Sequence, residues 1–132
     1  MNISKFTQKS VQAVQDLEKV AYEYGNQEVE QEHLLYALLT QEDSLILKLI
    51  EKMEINKEYF INTVKKALDA KVKVSGGDLR FGQYLNKSLV NAENEAKAMG
   101  DEYVSVEHLF LSLLTQPSPS MKKIFNEFGI TR

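Results

Sequence analysis

The 132-residue sequence contains no cysteine, which excludes disulfides and thiolate metal sites and permits a reducing compartment. Its start, Met1-Asn2-Ile3-Ser4-Lys5-Phe6, has no apolar signal core, and no uninterrupted apolar run approaches a membrane span. A cytoplasmic location and no membrane partner are the expectation. No concentrated basic face is present either. Residues 1–75 carry 10 basic and 12 acidic side chains and residues 76–132 carry 6 and 7, so both halves are mildly acidic. A nucleic-acid partner is therefore not expected. The lysines at 65, 66, 71 and 73 read as a solvated helix face and its exit.

Motifs of catalysis are missing as well. There is no phosphate-cradling Gly-x-x-x-x-Gly-Lys-Ser/Thr, no Gly-x-Ser-x-Gly elbow and no His-Glu-x-x-His. Neither His33 nor His108 has a second His or Cys at ligand spacing, so helix-start roles are favoured over metal binding. No enzyme activity, cofactor or metal is expected of this stretch.

What the sequence does have is a gapless internal repeat. Residues 6–56 align with residues 81–131 at a constant offset of 75, and 15 of the 51 positions are identical, among them Phe6/Phe81, Gly25/Gly100, Val29/Val104, Glu32/Glu107 and His33/His108. A duplication of this kind implies two copies of one small unit that share a core and meet at a seam.

Each copy reads as helical. Val14, Leu17, Ala21 and Tyr24 recur at three and four residues, with Thr7 as N-cap, Phe6 as a staple and Gly25 as the stop. A short second helix follows at Glu30 to Leu39, almost wholly apolar from Leu34 and hence buried all round. Leu45, Ile46, Leu49, Ile50 and Met53 mark a third, and a fourth runs over about 57–69, capped by Asn56 with Phe60, Val64, Ala67 and Leu68 inward. Lys71 to Arg80 is a connector, in which Ser75-Gly76-Gly77-Asp78 has turn chemistry and Val72 and Val74 suit a brief extended stretch. The second copy repeats the scheme. Gly82 caps an inner stripe of Leu85, Leu89, Ala92, Ala96 and Met99; Ser105 caps Val106 to Leu114; Ser118-Pro119 opens the seventh helix.

The expected fold is thus all-α, two pseudo-symmetric four-helix repeats in one compact domain, with repeat one at about 4–70, the connector at 71–80 and repeat two at about 81–132. The image of the fourth helix would occupy about 132–144 and the sequence ends at Arg132, so the second copy is truncated and the chain is expected to be part of a longer protein. Tyr22, Tyr24, Tyr36, Phe60, Tyr84, Tyr103 and Phe110 are core or seam candidates, and Leu89, Tyr103 and Phe110 are also candidates to border a groove. Glu32 and Glu107 stand in the first turns of their helices, where they complement the helix dipole or edge a binding rim.

The segments Phe6-Thr7-Gln8-Lys9-Ser10, Glu32-His33-Leu34-Leu35-Tyr36-Ala37-Leu38-Leu39 and Gly100-Asp101-Glu102-Tyr103-Val104-Ser105-Val106-Glu107-His108-Leu109 resemble the double Clp repeat, the amino-terminal domain of the Clp ring ATPases. The connector Lys73-Val74-Ser75-Gly76-Gly77-Asp78 is similar to that of the ClpB disaggregase branch, with the ClpC branch as the alternative. The resemblance implies a mobile domain that engages unfolded or aggregated polypeptides, or adaptor proteins and co-chaperones, on a hexameric ring; ATP and magnesium would bind elsewhere in that parent. It implies substrate contacts at Thr7, Leu89, Asp101 and Glu107 beside an apolar groove with an acidic rim. His108 stands where some relatives have leucine. In ClpC-type domains the carboxylates matching Glu32 and Glu107 recognise phosphorylated arginine, which makes phosphoarginine or adaptor docking the alternative reading.

Overall fold

A computed structural model describes residues 3–74 and 76–132. Ser75, one of the expected turn residues, lies outside the described residues. Seven α-helices are present among the described residues: α1 (Gln8–Glu23), α2 (Gln31–Leu39), α3 (Leu45–Lys52), α4 (Lys57–Asp69), α5 (Gln83–Ala98), α6 (Val106–Thr115) and α7 (Pro119–Phe128). The fold is all-α; besides these helices the described residues form a 3-10 turn (Ile3–Lys5) and the two-residue strands β1 (Glu28–Val29) and β2 (Arg80–Phe81).

Helix starts are where cap chemistry puts them. Thr7 Oγ1 accepts from the Ser10 amide at 3.2 Å, Ser44 Oγ from Leu47 at 3.0 Å, Asn56 Oδ1 from Tyr59 at 3.0 Å, and Ser118 Oγ from Met121 at 3.3 Å. Gly25 and Gly100 end α1 and α5 with φ of +68° and +73°, a conformation that costs a residue bearing Cβ about 1–2 kcal/mol. α2 is the central element: of its residues only Tyr36 is not fully buried. Leu34, Leu35, Leu38 and Leu39 pack there with Leu17, Ile46, Phe60, Leu68, Leu109 and Leu113 in one core.

Three expectations fail. Met99 is 55% exposed, because it caps α5 rather than continuing it and leaves the helical period. Leu45, the first residue of α3, and Met53, its C-cap, are also exposed. Tyr22, Tyr84 and Tyr103 are surface residues, not core or seam.

The seam is an exchange that periodicity does not announce. β1 and β2 pair in parallel, with Val29 opposite Phe81, and Phe6 forms a parallel bridge with Val104. At an offset of 75 Phe6 matches Phe81 and Val29 matches Val104. Each copy therefore pairs the residue before its first helix with the loop before the other copy's second helix. The amide of Thr7 donates to Val104 carbonyl oxygen at 3.0 Å, and Gly82, the equivalent of Thr7, donates to Val29 at 2.8 Å. Ser10 Oγ adds a bond to Val104 carbonyl oxygen at 2.9 Å. Phe6, expected as a helix staple, is buried at this crossing.

Candidate interaction site

The second copy's loop from Met99 to Ser105 and the starts of α1 and α6 meet at one end of the seam. Thr7 reaches that end through its bond to Val104. Asp101 is held there by His108: Asp101 Oδ2 lies 2.8 Å from His108 Nε2. The ring is oriented by its other nitrogen, since Nδ1 accepts the Ser105 amide at 2.8 Å. That bond requires Nδ1 to be unprotonated, so Nε2 carries the proton and donates to Asp101. Asp101 keeps half its side chain in solvent, Oδ1 accepts no hydrogen bond among the described residues, and Glu107, one position before His108, is exposed and has no partner among them. A hollow of about 380 Å³ opens beside the loop, lined by Lys5, Glu93, Ala96, Lys97, Asp101, Glu102 and Val104. Its lining carries three carboxylates, Glu93, Asp101 and Glu102, and two ammoniums, Lys5 and Lys97.

Leu89 does not join this group. It is 2% exposed on the inner face of α5, and Phe110 is 3% exposed on α6, so neither borders an open surface in this conformation. Both fill the space between α5 and α6, where apolar side chains at helical spacing pack best. Of the four residues that the family resemblance implied, Thr7, Asp101 and Glu107 belong to one end of the seam and Leu89 belongs to the core.

The first copy has the same construction with a different outcome. Glu30 donates its amide to His33 Nδ1 at 2.9 Å, and His33 Nε2 lies 2.9 Å from Asn26 Oδ1. Burial, and then the nearby Lys71 ammonium, lower the His33 pKa from 6.5 to about 4, so this ring is neutral across the physiological range. Glu32, the equivalent of Glu107, is 2% exposed. Its Oε2 accepts from Ser120 Oγ at 2.6 Å and pairs with Lys71 Nζ at 3.3 Å, while Lys71 also reaches Glu30 at 2.7 Å. Burial works to lower the Lys71 pKa, but the bond to Glu30 and the charges of Glu32 and Glu30 outweigh it, and the net shift is upward from 10.5. Glu32 therefore ties α2 to the connector and to α7. It is not an open carboxylate, and the two glutamates of the phosphoarginine reading do not stand in like environments.

Sequence reasoning missed one seam residue. Gln31 Nε2 donates to Ser88 Oγ at 2.8 Å and to the Gln116 carbonyl at 2.9 Å, and its Oε1 accepts the Ser118 amide at 2.8 Å. This amide is 1% exposed and stitches α2 to the second copy. The signal was a polar residue at the head of an otherwise apolar helix, where the second copy has Val106. Among the described residues no helix is long and apolar enough to cross a membrane, and no group of three His, Asp or Glu side chains is placed to hold a metal ion.

Comparison with known proteins accords with this architecture. The chaperone protein ClpB of Nitratidesulfovibrio vulgaris is 39% identical over 138 aligned positions, and that of Clostridium tetani is 39% identical over 137; each alignment spans 100% of this chain and 16% of the relative. The chain thus corresponds to about one sixth of those proteins. The crystal structure of the Hsp104 N-terminal domain from Candida albicans superposes with a TM-score of 0.84 at 22% identity, covering 97% of this chain and 84% of that one. A complex of the ClpV N-domain with VipB peptide gives a TM-score of 0.71 at 19% identity, covering 96% and 80%. The family described as Clp repeat (R) N-terminal domain matches residues 5–128, from the bridge at Phe6 to the last turn of α7, and this chain belongs to it.

Proposed function

We propose that the chain is the client-binding N-terminal domain of an ATP-dependent Clp chaperone of the disaggregase type, and that it engages unfolded or aggregated polypeptide at the second copy's end of the seam. The observation that carries this reading is the contrast between equivalent carboxylates: Glu32 is buried and fully engaged, whereas Glu107 is exposed, and Asp101, beside a hollow, keeps half its side chain in solvent. The relatives at 39% identity are chaperones, and a related N-domain has been solved with a peptide bound, which supports a polypeptide as the ligand. ATP binding and hydrolysis, a hexameric ring and a cytoplasmic setting belong to the longer parent on this reading. This domain contributes selection.

The physics fits a weak binder. Burial of a few apolar side chains yields about 25 cal/mol per Å², and ordering an extended segment consumes much of it. Several tethered copies on one ring raise the effective concentration and compensate. Acidic residues on the rim favour segments carrying Lys or Arg and speed their encounter.

The test is fluorescence anisotropy with a chemically unfolded, labelled protein. Glu107→Ala and Asp101→Ala weaken binding while far-UV circular dichroism and the unfolding midpoint hold. Thr7 needs two variants, because Thr7→Ala also removes the α1 cap at a cost of about 1 kcal/mol. Thr7→Ser keeps the cap and restores stability, so any binding lost in it reports the methyl group alone. If every variant binds the unfolded protein as tightly as the parent chain, the site lies elsewhere.

A further inference from the structure

The first copy already holds a segment of the connector at the place where the second copy is open. Residues Lys71 to Val74 run along the end of α1 as a chain with no secondary structure. The Val74 amide donates to the Gly25 carbonyl at 2.9 Å, and Asn26 Nδ2 donates to the Val72 carbonyl at 3.1 Å. Lys73 Nζ reaches the Tyr24 carbonyl at 2.8 Å and lies 6.0 Å from the Tyr24 ring. Lys71 Nζ meets the carboxylates of Glu30 and Glu32. Five short polar links thus fasten these four residues of the connector.

The matching positions in the second copy are Met99 for Tyr24, Gly100 for Gly25, Asp101 for Asn26, Ser105 for Glu30 and Glu107 for Glu32. Met99 is 55% exposed, where its counterpart Tyr24 is half-buried under Lys73. A Cβ built on Gly100 meets nothing within 4 Å, where one on Gly25 meets the Lys73 side chain at 3.8 Å. The Gly100 carbonyl accepts no backbone bond among the described residues, and Glu107 has no cation. One position changes sign as a hydrogen-bonding group: Asn26 donates, whereas Asp101 only accepts. The open loop therefore presents main-chain carbonyls and the carboxylates of Asp101 and Glu107 as acceptors, beside the ammoniums of Lys5 and Lys97 that line the hollow, and at the loop itself it favours a ligand that carries donors.

We infer that the Met99–Glu107 surface is a docking site for an extended peptide segment in which lysines alternate with β-branched residues, bound as Lys71-Val72-Lys73-Val74 is bound in the first copy. The leading lysine pairs with Glu107, the second lysine reaches the Met99 carbonyl, and the amide after it donates to Gly100. The inference rests on the client-binding reading and narrows it from unfolded chain in general to a cationic, extended one. Alternating lysine keeps such a segment extended, and the first copy shows that this unit accommodates it without a groove of large apolar area.

A blocked peptide with the sequence Ala-Lys-Val-Lys-Val-Ala, titrated into the 15N-labelled chain, tests this. The expected result is fast-exchange shifts confined to residues 99–107, weakened at least about fivefold by Glu107→Gln and lost when glutamate replaces both peptide lysines. Equal binding of the glutamate peptide, or shifts that map to Gly25 and Asn26 through displacement of the connector, overturns it. So does self-association of the chain that covers Gly100, or a longer parent chain that excludes the peptide. The unfolded-protein titration runs beside it. If that client still binds with Asp101 and Glu107 dependence while the lysine peptide does not, the docking mode is wrong and the client-binding function stands; if neither binds, the function itself fails.

Discussion

Removing the Lys71 ammonium isolates the asymmetry between the two copies. In Lys71→Met the Glu32 carboxylate, 2% exposed, keeps only the Ser120 hydroxyl as a partner. Breaking a buried ion pair from one side costs about 3–5 kcal/mol, because the remaining charge is uncompensated or must take up a proton. At about 2.1 cal/mol/K per residue of unfolding entropy, the chain loses roughly 11–18 °C of Tm. Lys71→Met combined with Glu32→Gln removes both charges, leaves an amide that still bonds Ser120, and recovers at least half of the loss. The matched change in the second copy, Glu107→Gln, stays within about 0.5 kcal/mol, since that carboxylate is exposed and unpartnered. Urea unfolding of the four variants, closed as a double-mutant cycle, supplies the coupling energy. A coupling below about 0.5 kcal/mol, or an equal cost for Glu107→Gln, refutes the claim that one glutamate is scaffold and its twin is free.

Three further outcomes are expected. His33 is held neutral, with its pKa lowered from 6.5 to about 4; the unfolded chain therefore binds the extra proton first, and stability is complete above pH 6.5 and falls as pH drops from 6.5 to 4. The slope is about 1.4 kcal/mol per pH unit and the total about 3 kcal/mol, and His33→Gln flattens this window in urea titrations at pH 7, 6 and 5. Gln31→Leu leaves the Ser118 amide without its acceptor and Ser88 without a donor, a loss of about 2–3 kcal/mol measurable by thermal unfolding, with Gln31→Glu no better because the Gln116 carbonyl then faces a carboxylate. Free phosphoarginine at millimolar concentration leaves the amide resonances of the α2 start unmoved, because Glu32 is closed off by Lys71 and Ser120; a saturable shift there that Glu32→Gln abolishes would revive the phosphoarginine reading.

Much of the fold was legible because it is local. Thr7, Ser44, Asn56 and Ser118 cap the helices that follow them, and Gly25 and Gly100 stop α1 and α5, each a matter of residues within one turn. The buried run of α2 was legible because its composition has no second face. The exchange of Phe6 with Val104 and of Val29 with Phe81 was not, since a two-residue pairing leaves no periodic trace and its partners are distant in sequence. The site was half legible. Duplication pointed to Glu32 and Glu107 together, but burial depends on what covers each, and the coverage of Glu32 comes from Lys71 and Ser120 in other elements. Leu89 was taken for a groove residue through resemblance, whereas its own stripe with Leu85, Ala92 and Ala96 pointed inward.

The same reasoning explains how a duplicated unit acquires one working surface instead of two. In the first copy, Lys71–Val74 occupies the α1 end, its lysines answer the local acceptors, and Glu32 becomes structural. His33 then sits in a dry environment beside a neutral Asn26. In the second copy Asp101 replaces Asn26, so His108 faces a carboxylate that remains half in water, and the ring that caps α6 also fixes the open acid in place. A carboxylate preset by a buried ring loses little freedom when a cation arrives, which favours binding without added area. The pairing of Thr7 with Val104 links that loop to the start of α1. Substitution at the crossing thus reaches the acidic end directly, and variants at Val104 are expected to alter client binding at a smaller cost in stability than variants at Leu34.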